Sequence, residues 1–154
     1  MGLQLNDMFA MAPQLILVTG GLSVLVAQML VRTRRAAMAW QLSLITLVSA
    51  AVVVVFGLSD ANGVVTVLPR AFQGVDTVSA VSGTFRYSTF SGNAVLLFVA
   101  LALGTLLLMR RSLAAAEIDF AENYFLLLMS VAGYSYAVCA EDLVTLFVAI
   151  ELGS

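Results

Sequence analysis

The 154-residue sequence is poor in charge: hydrophobic residues make up 62% of it, charged residues 10%, and its mean hydropathy is +1.05. A water-soluble domain needs a charged surface that solvent can wet, so these values indicate that lipid is the solvent of most of the chain. The sequence has no histidine, and Cys139 is its one cysteine. This excludes an internal disulfide, an iron–sulfur cluster held by the chain's own thiolates and the usual zinc sites. The seven basic residues, all arginine, form no nucleic-acid-binding pattern.

Apolar stretches predict an all-α integral membrane protein that forms a single membrane domain over residues 1–154. A spanning helix needs about 20 apolar residues to cross roughly 30 Å of hydrocarbon. We expect four such helices at 14–31, 40–58, 93–109 and 123–140, each apolar all round as lipid requires. Asp142 is a suitable N-cap for a fifth apolar run, which we expect to be an incomplete helix at 143–154.

The first apolar stretch carries small residues at helical spacing, Gly20, Ser23 and Ala27. Such a face lets two membrane helices approach closely, and it predicts a helix-packing surface. The alternative is that these residues are simply common in membrane helices.

Arginines indicate the orientation of the chain. The connections after the first and third stretches carry Arg32, Arg34 and Arg35, and Arg110 and Arg111, respectively. The positive-inside rule places both connections on the cytoplasmic or mitochondrial matrix side. The long connection at 59–89 would then face outward, and its valine-rich segments favour a short β-hairpin over a plain loop by a small margin.

Glu151 is the most informative polar residue. If the fifth helix begins at Leu143, Glu151 lies about 12 Å further along its axis, near the midplane of the bilayer. A carboxylate is costly at that depth, so it is expected to face a polar cavity or a partner charge and to serve function. The alternative is that Glu151 only marks the exit of a short tail.

Other polar residues give weaker signals. Thr145 and Ser154 could line the polar cavity that Glu151 is expected to face. Tyrosines at positions such as 134 and 136 are more often structural than proton relays. Cys139 is interpreted as a small apolar residue. An acidic group, Glu117, Asp119 and Glu122, precedes the fourth stretch. It is expected to form a solvated loop, with a proton-collecting role as the alternative.

Residues 122–154 carry a family resemblance. Glu122, the aromatic pair and leucine run after it, Gly133, and the segment from Asp142 through Glu151 to Ser154 resemble the fourth and fifth helices of antiporter-like subunits of respiratory complex I. Within that group the match is most similar to subunit N, called subunit 2 in mitochondria. The stretch that begins at Arg86 departs from the family, in which an aspartate is common near this position.

The resemblance implies a proton-translocating subunit of about fourteen helices, of which this chain matches the N-terminal part. In the family a glutamate that corresponds to Glu151 pairs with a lysine of the seventh helix, and this sequence contains no lysine. The partner lysine would come from a further chain or segment. NADH, FMN, iron–sulfur clusters and quinone are expected in partner subunits, with no cofactor bound by this chain.

Further expected partners are lipid and other membrane-arm subunits, in a mitochondrial inner membrane or a bacterial plasma membrane. Two alternatives remain open at this stage. The chain could belong to a multisubunit cation/proton antiporter of the Mrp type, whose subunits share the motif around Glu151, or it could be a structural membrane-arm subunit that does not pump.

Overall fold

The structure, a computed structural model, describes residues 11–30, 35–61, 77–80, 85–115 and 121–154. Within these residues the chain forms five helices and two short strands, which we number in chain order. They are α1 (Ala12–Leu30), α2 (Arg35–Ala61), β1 (Thr77–Ala80), β2 (Phe85–Ser88), α3 (Thr89–Ala115), α4 (Ala121–Cys139) and α5 (Leu143–Gly153). Helices α2 and α3 extend beyond the apolar stretches at both ends, because hydropathy marks the lipid-embedded part of a helix and not its full length.

Three of the described helices are long and apolar enough to cross a membrane, over Ala12–Leu30, Met38–Val55 and Phe90–Arg110. Helix α4 also has 19 residues, but Glu122, Asn123 and its serines and tyrosines make it less apolar. Its crossing of the membrane therefore stays a prediction. Helix α5 is apolar and has 11 residues.

The two strands lie in the connection that was expected to face outward. They pair antiparallel, with Thr77 opposite Ser88 and Ala80 opposite Phe85. Residues 81–84, which would form the turn of the expected β-hairpin, lie outside the described residues, as do 62–76. The hairpin as a whole stays a prediction.

Helix α4 occupies the centre of the bundle, where it contacts α1, α2, α3, α5 and β2. Its buried positions recur at helical spacing and include Tyr124, Leu128, Ala132 and Cys139. They pack with buried leucines and valines of α1, α2 and α3 into one core. Helix α5 packs mainly on α4, so it lies at the periphery of the bundle.

Side-chain contacts show which helix ends lie together. At one end, the Gln28 amide donates to the Glu122 carboxylate at 2.7 Å, and the Arg110 guanidinium stacks 4.0 Å from the centre of the Trp40 ring. The end of α1, the starts of α2 and α4 and the end of α3 therefore meet there, and we call this the arginine end. The opposite end, next to β2, is the strand end. The helix ends that flank both arginine-bearing connections thus lie at one end of the bundle, and the membrane side that this end faces stays a prediction.

The predicted small-residue face of α1 is only partly the surface that packs within this bundle. Gly20 does pack closely, since a Cβ there would collide with the side chain of Thr46 on α2. Ser23, however, is exposed, and its hydroxyl donates to the Gly20 carbonyl at 2.7 Å. The buried stripe of α1 is rotated by one residue and consists of Gln14, Leu17, Gly21 and Val24, preceded by Pro13. Larger side chains fill this interface, so residue size alone did not identify the packed face.

Candidate functional site

Asp142 initiates α5 as a helix cap. Its backbone is extended (φ −118°, ψ 156°), and its carboxylate accepts from the Thr145 backbone N–H and from the Thr145 hydroxyl, each at 2.8 Å. The backbone N–H first, and then the hydroxyl, hold the pKa of Asp142 below its usual range. The Thr145 hydroxyl, expected to line a water path, is therefore engaged in the cap.

Helices α4 and α5 meet backbone to backbone at Gly133 and Gly153. A Cβ on Gly133 would lie 2.6 Å from the Cα of Gly153, so only glycine fits there. The Ser130 hydroxyl donates to the Gly153 carbonyl at 2.7 Å. Because Ser130 and Gly133 lie in the middle of α4, these contacts place the last turn of α5 halfway along the central helix.

Glu151 lies in that last turn and points away from α4. Ala149 and Gly153 are the buried residues of α5, and they share the face that packs on α4. Glu151 is two residues from each, a rotation of about 200°, which puts its side chain on the opposite face. The side chain is exposed and is flanked by the exposed apolar residues Ile150 and Leu152.

The described basic side chains are engaged far from Glu151. Arg86 pairs with Glu141 at 2.8 Å at the strand end, and Arg110 stacks on Trp40 at the arginine end. Neither of these two arginines, whose side chains the structure describes, therefore lies beside Glu151.

Other predicted candidates are dispersed around the bundle. Tyr134 lies near Phe98, with ring centres 6.0 Å apart, and Tyr136 meets Phe85 edge-on at 5.8 Å. Tyr136 and Thr145 border an open apolar groove of about 300 Å³ between α4 and α5. Ser154 borders a different cleft of about 590 Å³, together with Asn123 and Ser130. Among the described residues, neither of these two cavities contains all of the candidates.

Glu122 is the one member of the predicted acidic group that the structure describes. Its carboxylate accepts from Gln28 and so joins α1 to α4 at the arginine end. Glu117 and Asp119 lie outside the described residues, and a proton-collecting role for this group stays a prediction.

The strand β2 contacts the turn between α4 and α5. Phe85 forms a β-bridge with Ala140, and the next residue, Arg86, makes the ion pair with Glu141. The stretch in which the sequence departs from the family pattern therefore contacts the turn that precedes α5. Since the pair is substantially exposed, its electrostatic contribution is small.

Sequence reasoning missed a group of buried polar residues: Gln14 on α1, Ser91 on α3, and Ser135 on α4 beside Cys139. Gln14 and Ser91 lie near helix starts, where polar residues are ordinary, and a single serine within a membrane helix is common. Only the assembled bundle brings them to one place.

No family model matches the chain. The chain is 30% identical to a protein named NADH-quinone oxidoreductase subunit N from Paenibacillus sp. (strain JDR-2), over 96% of this chain and 29% of that relative. It is 26% identical to a protein of the same name from Leptospira interrogans serogroup Icterohaemorrhagiae serovar Lai (strain 56601), over 96% of this chain and 26% of that relative. The chain therefore spans less than a third of the length of these curated relatives. Over almost its whole length the chain is similar to subunit N of NADH-quinone oxidoreductase, which confirms the resemblance predicted from residues 122–154.

Proposed function

We propose that this chain is part of a proton-translocating, antiporter-like subunit in the membrane arm of NADH-quinone oxidoreductase, and that Glu151 is its proton-handling residue. The observation that carries the proposal is a carboxylate at mid-bundle depth, in a chain similar to subunit N over 96% of its length. Redox chemistry with NADH, flavin, iron–sulfur clusters and quinone belongs to partner subunits.

The proposal includes α4 as a fourth membrane span. Three described helices are apolar enough to cross a membrane, and α4, of similar length, lies between them at the centre of the bundle. Two of its polar residues are turned inward: Tyr124 and Ser135 are fully buried. A helix shielded from lipid in this way can cross the hydrocarbon layer with more polar residues than its neighbours.

Glu151 would handle protons through a movable partner charge. A carboxylic acid in a site of low dielectric constant favours its neutral form, whereas a neighbouring cation favours the carboxylate. Moving a lysine toward the acid and away from it would release and load one proton per cycle. That lysine must come from a further segment or subunit, since this sequence contains none. The exposed side of α5 that carries Glu151 is the surface on which such a segment would pack.

Substitution of Glu151 by glutamine tests the proposal, because it keeps the shape and hydrogen bonding of the side chain while abolishing titration. In the assembled complex, we expect assembly and electron transfer to persist and the number of protons pumped per electron to fall. Glu151→Asp should be milder, because the charge remains and is withdrawn by one methylene. Glu141→Gln is the matched control. It makes the same substitution at a glutamate just before α5, whose partner is the exposed residue Arg86.

The outcome also separates the alternatives. If Glu151→Gln assembles and pumps at the wild-type ratio, a structural role without pumping is favoured and the site assignment fails. If the chain purifies with cation-antiporter subunits and without redox subunits, it belongs to an antiporter of the Mrp type.

A further inference from the structure

Three buried polar residues that the sequence did not single out, Gln14, Ser91 and Ser135, form a polar cluster with Cys139 near the strand end. Their exposed fractions are 0%, 2%, 0% and 1%, so neither bulk water nor lipid headgroups reach them. The Gln14 amide nitrogen lies 3.6 Å from the Cys139 sulfur, and the Ser91 side chain interacts with the same sulfur. Ser135 precedes Cys139 by one turn, about 6 Å along the same face of α4. The cluster therefore joins α1, α3 and α4.

Hydrogen bonding within the cluster is incomplete. Ser91 exchanges hydrogen bonds with Ser88 in the reciprocal pattern of a capping box. In contrast, the Gln14 Oε1 atom and the Ser135 hydroxyl are buried without a hydrogen-bond partner among the described residues. Rotating the amide of Gln14 by 180° would exchange its oxygen and nitrogen but would still leave one of them unpaired. Left without a partner, each of these two buried groups would cost about 1–3 kcal/mol.

We propose that this cluster is a binding site for ordered internal water, in which water bridges Gln14 and Ser135 between α1 and α4. Water fits because it both donates and accepts: it can donate to the Gln14 oxygen, which only accepts, and can either donate to or accept from the Ser135 hydroxyl. The four carboxylates whose side chains the structure describes all lie outside the cluster, so none of them supplies the charge that a bound cation would need. Glu122 is at the arginine end, Glu141 pairs with Arg86, Asp142 caps α5, and Glu151 points away from α4.

This hydrated site is separate from the proposed proton-handling residue. Glu151 lies on the outer face of α5, whereas the cluster is on the side of α4 that faces α1 and α3. The inference therefore stands or falls independently of the proposed function.

Radiolytic hydroxyl-radical footprinting of the intact assembly tests the inference, because radicals formed from ordered internal water modify adjacent side chains that bulk solvent does not reach. We expect rapid oxidation of Cys139 despite its burial. Ser135→Ala and Gln14→Met should each slow this oxidation several-fold. Ser43→Ala is the matched control, since Ser43 is equally buried but its hydroxyl is satisfied by the Ala39 carbonyl at 2.8 Å. The control should leave the oxidation of Cys139 unchanged.

The thermal unfolding midpoint of Ser135→Ala is an independent test, because it should shift in opposite directions for a hydrated site and for a dry one. If water occupies the site, Ser135→Ala removes a hydrogen-bond partner of that water and lowers the unfolding midpoint. If the site is dry, the same substitution removes an unsatisfied group and raises the midpoint, which would overturn the inference. Slow oxidation of Cys139 in the wild type would also overturn it. Replacing sodium by choline should change neither readout, and a change would assign the site to a cation instead.

Discussion

The last two helices invert the relation between hydropathy and burial that holds in water-soluble proteins. Helix α4 is less apolar than the three candidate membrane spans, yet it is the central helix of the bundle. Helix α5 is strongly apolar, yet only Ala149 and Gly153 are buried, and Leu143, Val144 and Phe147 are among its exposed residues. In lipid, an apolar side chain gains little by turning inward, whereas a polar one gains a great deal. The two helices together thus indicate that the exposed apolar surface of the bundle is covered by lipid or by further protein.

The same comparison makes Glu151 conspicuous. It is the acidic residue of α5 and lies on the apolar, outward face of that helix, whereas Tyr124 and Ser135 of α4 are fully buried in protein. A carboxylate on a lipid-like surface requires a cover, and this requirement supports the proposal that another segment packs against α5.

The largest expected effect concerns the contact that joins the two helices. Gly133→Ala places a Cβ against the backbone of Gly153, and neither backbone can yield. We expect a loss of about 3 kcal/mol or more, because overpacking against backbone has no flexible side chain to absorb it. The thermal unfolding midpoint of the purified protein measures it.

The control for this experiment is Gly104→Ala on α3, where a new Cβ meets nothing within 4 Å. There alanine should be neutral or stabilise the helix by about 1 kcal/mol, since glycine is the poorer helix former. Equal midpoints for the two alanine variants would contradict the close crossing of α4 and α5.

The burial of α4 is tested by two leucines of the same helix. Leu128 is fully buried, and Leu126 is 61% exposed. Leu128→Ala should cost about 2–5 kcal/mol by leaving a cavity, and Leu126→Ala should cost less than about 1 kcal/mol because its side chain faces outward. Unfolding titrations of both variants measure the difference. Equal losses would show that α4 is not oriented as described.

A smaller effect is expected at Ser130, whose hydroxyl holds the end of α5. Ser130→Ala removes the hydrogen bond to the Gly153 carbonyl and should cost about 1 kcal/mol. Ser23→Ala is the control, because the Ser23 hydroxyl bonds within its own helix and is exposed. Its effect should stay within about 0.5 kcal/mol. If the two variants unfold alike, the bond between Ser130 and α5 contributes nothing.

The smallest effect is the pH dependence of the first turn of α5. The Thr145 backbone N–H, followed by its hydroxyl, lowers the pKa of Asp142. A depressed pKa means that the cap stabilises the helix at neutral pH, and that this stabilisation is lost as pH falls below about 4, through the folded-state value. After correction for the intrinsic pH dependence of exchange, the Thr145 amide hydrogen should lose protection from exchange in that range.

Asp142→Asn separates the charge from the cap, since asparagine also caps helices. This variant should retain protection of the Thr145 amide at neutral pH and lose the acid-dependent step. A step that persists in the variant would assign the titration to another group.

Hydropathy predicts most of the helices, but it predicts less about which side chains surround Glu151. Counting along the fifth run predicts the depth of Glu151, and the contact of Gly153 with Ser130 places the residue at mid-bundle. The hydroxyls of Thr145 and Ser154 are engaged locally, with Asp142 and the Glu151 carbonyl, and do not converge on the acid. Local hydrogen bonds of this kind compete with any longer-range role, and spacing in the sequence does not reveal which one prevails.

By itself, the sequence determined the apolar character of the chain, the order of its helices and the cap at Asp142. These follow from composition and from interactions within a few residues. The tertiary structure alone decided which helix became central, which glycines of α4 and α5 touch, and that Gln14 and Ser135 are buried near the same end. The physical reason is that a helix that is apolar on every side carries little information about which side faces protein. In lipid, the side of a helix that faces protein is selected by steric fit and by pairing of the few polar groups. Both the fit and the pairing arise only when the helices have packed together.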